Sequence, residues 1–112
     1  MPDSPVRLIR AGSLDAGITQ GLYHSLAREM TEASEDTIIL CSPNAPYFCI
    51  GYHQIFDAVL DTDECTELGF PILRRRLGGG TTYLDSNQIF YQCIFHQSRV
   101  PGRADQVYKM ML

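Results

Sequence analysis

The residues best suited to chemistry in this chain are contiguous. Arg74-Arg75-Arg76-Leu77 leads into Gly78-Gly79-Gly80, and Thr81-Thr82-Tyr83-Leu84-Asp85 follows. Glycine lets a backbone turn through φ > 0 and approach a ligand with no Cβ in the way. Successive loop N–H groups can form an anion-binding concavity, and nearby guanidinium groups add charge-assisted hydrogen bonds. A phosphate or a carboxylate is the ligand such a stretch suits. Three adjacent positive charges stand out in a chain of net charge -4. The competing reading makes the glycines a flexible hairpin connection and the arginines a solvated strand end. Two phosphate motifs are excluded. No Gly-Lys-Ser/Thr follows the glycines, as a P-loop requires. The glycines are contiguous and lead toward a strand, unlike those of a dinucleotide fingerprint, which open a helix.

The elements that must hold this stretch are legible on either side of it. Phe70 to Arg76 predicts a strand, with Leu73 and Arg75 on one face and Ile72, Arg74 and Arg76 on the other. Val6 to Ile9 predicts a first strand and Ala11-Gly12-Ser13 a turn. Ser13 or Asp15 caps a helix that runs to about Glu32. Ile18, Leu22, Leu26 and Met30 form its apolar stripe, widened by Tyr23 and Ala27. His24 lies off that stripe and reads as a surface or partly buried helix histidine. Gly21 costs about 1 kcal/mol relative to alanine inside a helix, so it predicts close packing. Thr37 to Cys41 predicts a strand buried on both faces, paired as a hairpin with Tyr47 to Tyr52 across the turn cluster Ser42 to Pro46. Asp61, with Glu64 three residues on, starts a short helix that Gly69 stops. Asp85-Ser86-Asn87 is a turn. Gln88 to His96 is apolar on both faces, which predicts a strand in the middle of a sheet. Ala104, Val107, Tyr108 and Met111 begin a helical pattern. The fold class is therefore α+β, a mixed and mostly antiparallel sheet flanked by helices.

Arg74-Arg75-x-x-Gly78-Gly79-Gly80-Thr81-Thr82-Tyr83-x-Asp85 resembles the signature of the lipoate–protein ligase and octanoyltransferase family, which also contains the biotin ligases. Ile50-Gly51-Tyr52-His53-Gln54 and the Cys65-x-x-x-Gly69 lead-in match that family in kind and order. Two positions depart from it. Leu84 stands where the family usually has His, and Asn87-Gln88 stands where many ligases have Gly-Asn. The second departure leaves ligase and transferase both open.

The resemblance implies acyl transfer to a protein lysine. In the ligase version, lipoate or octanoate attacks the α-phosphate of ATP, and the lysine of a lipoyl domain then attacks the acyl-adenylate. It assigns Arg74, Arg75, Gly78, Gly79 and Gly80 to phosphate and carboxylate binding. Tyr83, Gln88, Gly51 and His53 are assigned to the acyl-adenylate. ATP and Mg²⁺ are the implied cofactors of a ligase, whereas a transferase needs neither; no metal ligand is identifiable. The family's lysine that touches the carboxyl and phosphate belongs to a later segment, and Lys109 sits in no matching motif. The expectation is one domain, residues 1–112, forming the N-terminal part of such a catalytic domain. A lipoyl-domain acceptor and a second polypeptide completing the domain are the expected partners. The same-family rival is an octanoyltransferase using a cysteine thioester, and no cysteine here lies in such a motif. From another class, the rival is a non-catalytic accessory subunit or an inactive fragment.

Composition narrows the classes. The chain has 112 residues, room for one domain. It is 45% hydrophobic with six Tyr and five Phe, which excludes a disordered chain. A pI near 5.2 argues against a nucleic-acid binder. No stretch has the length of a membrane span. Met1-Pro2-Asp3-Ser4-Pro5 lacks a secretory signal's basic and apolar regions, so Cys41, Cys49, Cys65 and Cys93 read as reduced, mostly buried thiols of a cytoplasmic protein. Cys49 and His53 are too far apart on an extended segment to be a nucleophile–base pair.

Overall fold

A computed structural model describes residues 5–111. Met1 to Ser4, which the signal-peptide reading used, lie outside the described residues.

Strand β1 (Val6–Leu14) runs through the Ala11-Gly12-Ser13 segment that reads as a turn. Gly12 adopts φ 72°, and the pairing register shifts between Arg10 and Gly12. The glycine therefore marks a β-bulge inside one long strand, where an extra residue needs the left-handed region. Asp15 then caps α1 (Ala16–Glu29) by accepting from the Gly17 N–H at 3.1 Å. Leu22, Tyr23, Leu26 and Met30 of the helix stripe pack on the core, but Ile18 is 51% exposed. A Cβ on Gly21 would meet nothing within 4 Å, so close packing does not explain that glycine.

Among the described residues the strands form two sheets of three, flanked by helices. β2 (Asp36–Pro43) lies between β1, parallel to it, and β6 (Phe90–Ile94), antiparallel to it. β3 (Tyr47–Ile50) lies between β4 (Ile72–Arg74), parallel, and β5 (Thr82–Leu84), antiparallel. The pairing is mixed, with parallel and antiparallel pairs in each sheet. The expected hairpin of the second and third strands does not form. Asn44 N–H donates back to Leu14 O at 2.8 Å, which fixes the turn to the end of β1 and sends β3 into the second sheet. β6 is likewise an edge of its sheet among the described residues, not its centre. Phe90 and Ile94 face the core while Tyr91 is 64% exposed.

Helix α1 ties the sheets together. Its side packs on Ile39, Cys41 and Ile94, the buried centre of the first sheet. Tyr47 of β3 is fully buried beneath it. The Tyr47 hydroxyl meets Thr19 Oγ1 at 2.6 Å and accepts from Gln20 Nε2 at 2.9 Å, and Tyr23 donates to Gln20 Oε1 at 2.8 Å. Phe48, Phe70 and Tyr83 stack on the opposite face of the second sheet, with ring centroids 5.4 to 6.2 Å apart.

The short helices follow their caps. α2 (Phe56–Val59) is a single turn with no side-chain cap, which explains why the sequence gives no sign of it. α3 (Thr62–Leu68) starts at Asp61, which accepts from Glu64 N–H at 3.1 Å, and ends at Gly69 with φ 76°. Asp61→Ala should lower stability by about 1 kcal/mol, the usual worth of an N-cap, read from urea unfolding midpoints. A 3₁₀ turn at Gln97–Arg99 places Arg99 Nε 2.8 Å from buried Asp36, and the same guanidinium holds Glu32 O and Ser34 O. α4 (Ala104–Met111) closes the described chain where the helical pattern predicts it. No helix among the described residues is long and apolar enough to cross a membrane.

Candidate functional site

Two loops meet at the end of β3. The first leaves the strand through Gly51-Tyr52-His53-Gln54. The second is the arginine–glycine segment, which crosses that strand end on its way from β4 to β5. Those strands flank β3 on either side, so the glycines are not a hairpin connection. The crossing passes backbone against backbone: a Cβ on Gly51 would collide with the Gly79 carbonyl. The space beside buried Gly51 is therefore filled by the glycine loop. Tyr52 N–H donates to Leu77 O at 2.9 Å and Arg75 N–H to Ile50 O at 3.0 Å, which stitch the loops together.

The arginine pair divides its work by strand alternation. Arg74 Nη1 reaches the carbonyls of Gly51 (3.3 Å), Tyr52 (2.9 Å) and Gln54 (2.6 Å). Arg75 points to the other face and curls under the glycine loop. Its Nη2 donates to Gly78 O at 3.1 Å and Gly80 O at 2.8 Å, and its Nη1 lies 3.7 Å from Cys49 Sγ. Gly79 itself has φ 111° and would place a Cβ 2.8 Å from Arg75 Nη2. Holding the Gly78 and Gly80 carbonyls turns the N–H groups that share their peptide planes, those of Gly79 and Thr81, away from Arg75. Among the described residues the N–H groups of Gly78, Gly79 and Gly80 make no backbone hydrogen bond. Free N–H groups on a tethered loop can receive an anion.

Gln54 has a role that sequence reasoning missed. Its Oε1 accepts from Gly51 N–H at 2.8 Å and from Thr81 Oγ1 at 3.0 Å, joining both loops. It stands inside the matched pentapeptide, yet its type gives no sign of a bridging role. His53 is exposed at the same end, 3.9 Å from where a Cβ on Gly78 would stand.

A groove of about 580 Å³ opens beside the glycine loop, between α1, the second sheet and β6. Tyr23, Cys49, Leu77, Leu84, Phe90 and Cys93 line it, and Arg75 closes one end. Burial pushes the Tyr23 hydroxyl and the Cys93 thiol up from their ordinary values, so both stay protonated near neutral pH. Gln92 donates to Thr19 O at 3.0 Å, while its buried Oε1 has no partner among the described residues. All four cysteines are free thiols.

The expected site residues do not all converge. Arg74, Arg75, Gly51, His53 and the three glycines meet at the end of β3. Tyr83 sits on the other face of β5, stacked on Phe48 and Phe70, while its neighbours Thr82 and Leu84 face the groove. Gln88 closes the β5–β6 turn, accepting from Asp85 N–H at 2.9 Å. Asp85 is the turn former it was expected to be, accepting from Asn87 N–H at 2.9 Å.

The lipoyl protein ligase A/B catalytic domain, as a family model, matches residues 16–112. The chain belongs to this family. Solved structures agree in fold. A bi-partite lipoate protein ligase from Thermoplasma acidophilum, described with its E2 lipoyl domain, is 19% identical with a TM-score of 0.74, over 80% of this chain and 35% of that one. A lipoate-protein ligase A bound with ATP is 19% identical with a TM-score of 0.72, over 78% and 35%. A P. falciparum protein in complex with lipoate is 17% identical with a TM-score of 0.70, over 78% and 29%. The chain thus spans about a third of the length of these neighbours. Comparison with curated proteins gives no match.

Proposed function

We propose that this chain is the N-terminal part of a cytoplasmic lipoate–protein ligase, and that a second polypeptide or segment supplies the rest of the catalytic domain. The observation that carries the reading is the groove with largely apolar walls that is lined by Arg75, whose guanidinium tethers the neighbouring glycine loop. The groove would take the acyl tail of lipoate or octanoate. The loop would take the carboxylate and the α-phosphate of ATP. The carboxylate oxygen attacks the α-phosphorus, pyrophosphate leaves, and an acyl-adenylate forms. The amine of a lipoyl-domain lysine then attacks the acyl carbon, giving an amide and AMP. In this scheme the chain supplies position and electrostatic stabilisation, and no proton-transfer role falls to its residues. Gly51 and Arg74 would act by holding the loops, and His53 by standing at the mouth of the site.

Mg²⁺ is expected with ATP. No group of three or more His, Cys, Asp or Glu residues gathers among the described residues to hold it, and no step here passes through it. The octanoyltransferase alternative needs an activated cysteine. Cys93 lines the groove, but burial raises its pKa, which opposes thiolate formation, so a transferase would draw its cysteine from the rest of the domain.

The test is pyrophosphate release from octanoate and ATP, with an unmodified lipoyl domain as acceptor. The chain mixed with its completing half should release pyrophosphate and acylate the domain; the chain alone should do neither. Acylation from an octanoyl thioester without ATP would replace the ligase with the transferase. No acylation from either donor would leave the accessory-subunit reading.

A further inference from the structure

A second cleft, of about 360 Å³, lies between the exposed face of α1 and the arginine segment. Gly17, Gly21, His24 and Arg28 line it from the helix, facing Arg74 to Arg76. Four of the chain's nine basic residues border it, and no Asp or Glu does. Arg74 and Arg75 are committed to loop carbonyls. Arg28 and Arg76 make no ion pair among the described residues, where the two pairs are Arg99 with Asp36 and Arg103 with Asp105. His24 Nε2 accepts the Arg76 backbone N–H at 3.4 Å. Burial, then the charges of Arg76 and Arg28, lower the His24 pKa, and the Asp15 carboxylate lies at the far end of the cleft, on Gly17 N–H at 3.1 Å. The bare helix at Gly21 is the second observation. Nothing packs where its Cβ would be, so the fold itself does not need the glycine, and the empty space opens onto the two free arginines.

We propose that this cleft docks an acidic surface of the acceptor protein, with carboxylates on Arg28 and Arg76 and the Gly17–Gly21 face as the seat. The proposal rests on the acyl-transfer reading above for the partner's identity. A single exposed arginine gains little from one small anion, because water and salt screen it. Several such contacts across a protein surface add up and steer its approach. A chain of net charge -4 repels an acidic partner over much of its surface, so this cluster of arginines favours landing here. The cluster adjoins the glycine loop, which would bring the acceptor's lysine toward the acyl group.

The experiment titrates an unmodified lipoyl domain into the full chain. Arg28→Glu with Arg76→Glu should raise Kd by about tenfold or more at roughly 50 mM salt and flatten the salt dependence. Gly21→Leu should weaken binding with no change of charge. Pyrophosphate release by the completed enzyme should be unchanged by Arg28→Glu alone. An unaltered Kd and salt slope would overturn the proposal. So would displacement of the lipoyl domain by millimolar inorganic triphosphate together with slower pyrophosphate release in the double variant, which would make the cleft a phosphate site. Absent pyrophosphate release in the unmodified enzyme would sink the ligase reading alone, because the binding titration does not depend on it.

Discussion

Gly51→Ala should unseat the glycine loop. The added methyl group falls on the Gly79 carbonyl, and both neighbours are backbone, with no flexible side chain to swing aside. Gly51 is buried, and its carbonyl is also held by Arg74 at 3.3 Å. One of the two loops must therefore move. The movement would break the Tyr52 N–H bond to Leu77 O and the Gln54 bridge to Thr81. Overpacking of this kind costs about 1–3 kcal/mol, and the lost hydrogen bonds place Gly51→Ala at the upper end, about 3 kcal/mol. That is a large share of the roughly 5–15 kcal/mol that holds a domain together. Guanidinium unfolding of the alanine variant beside the parent measures it. Gly21→Ala is the internal control: open space surrounds its Cβ, so helix propensity alone should make it neutral or stabilising, by about 1 kcal/mol at most. A Gly51→Ala variant as stable as the parent would show that the loops do not cross in contact.

The same crossing explains which parts of the site the sequence reveals. Arg75, Gly78 and Gly80 are close in sequence, so residue type alone suggests an anion loop, but that Arg75 tethers the loop's carbonyls comes only from the structure. Gly51 and Gly79 are far apart in sequence, and nothing in either one's neighbours says that one backbone lies on the other. The pentapeptide at Ile50 and the arginine–glycine segment match one family in order, and the structure supplies the physical reason: Arg74, Gln54 and the two glycines lock them together. Strand alternation decided other positions. Tyr83 reads as part of the site by motif, but its neighbours Thr82 and Leu84 take the groove face, and its ring belongs to an aromatic cluster on the other side. The hairpin expected of β2 and β3 fails because short apolar runs on either side of a turn are equally consistent with two sheets. Only the non-local bond from Asn44 to Leu14 distinguishes them. Helix boundaries were legible wherever a cap spells them, at Asp15, Asp61 and Gly69.

Arg75→Ala should weaken binding of an octanoyl-adenylate analogue by about 2–3 kcal/mol, roughly 30- to 150-fold in Kd. The guanidinium holds Gly78 O at 3.1 Å and Gly80 O at 2.8 Å, and it closes one end of the groove. Without it those carbonyls can rotate toward solvent, and the N–H groups of Gly79 and Thr81, which share their peptide planes, lose their fixed direction. Any direct contact with the ligand's phosphate or carboxylate is lost as well. The two routes separate by measurement. Loss of tethering loosens the loop before ligand arrives, so amide exchange at Tyr52, bonded to Leu77 O at 2.9 Å, should quicken in the free variant. Loss of direct contact alone lowers affinity and leaves that exchange as it was. Arg75→Lys should restore only part of the affinity, because an ammonium lacks the planar fork that spans two carbonyls while a second nitrogen faces the groove. Unchanged analogue binding in Arg75→Ala, with the fold intact, would remove Arg75 from the site and return the glycine loop to a connection between strands.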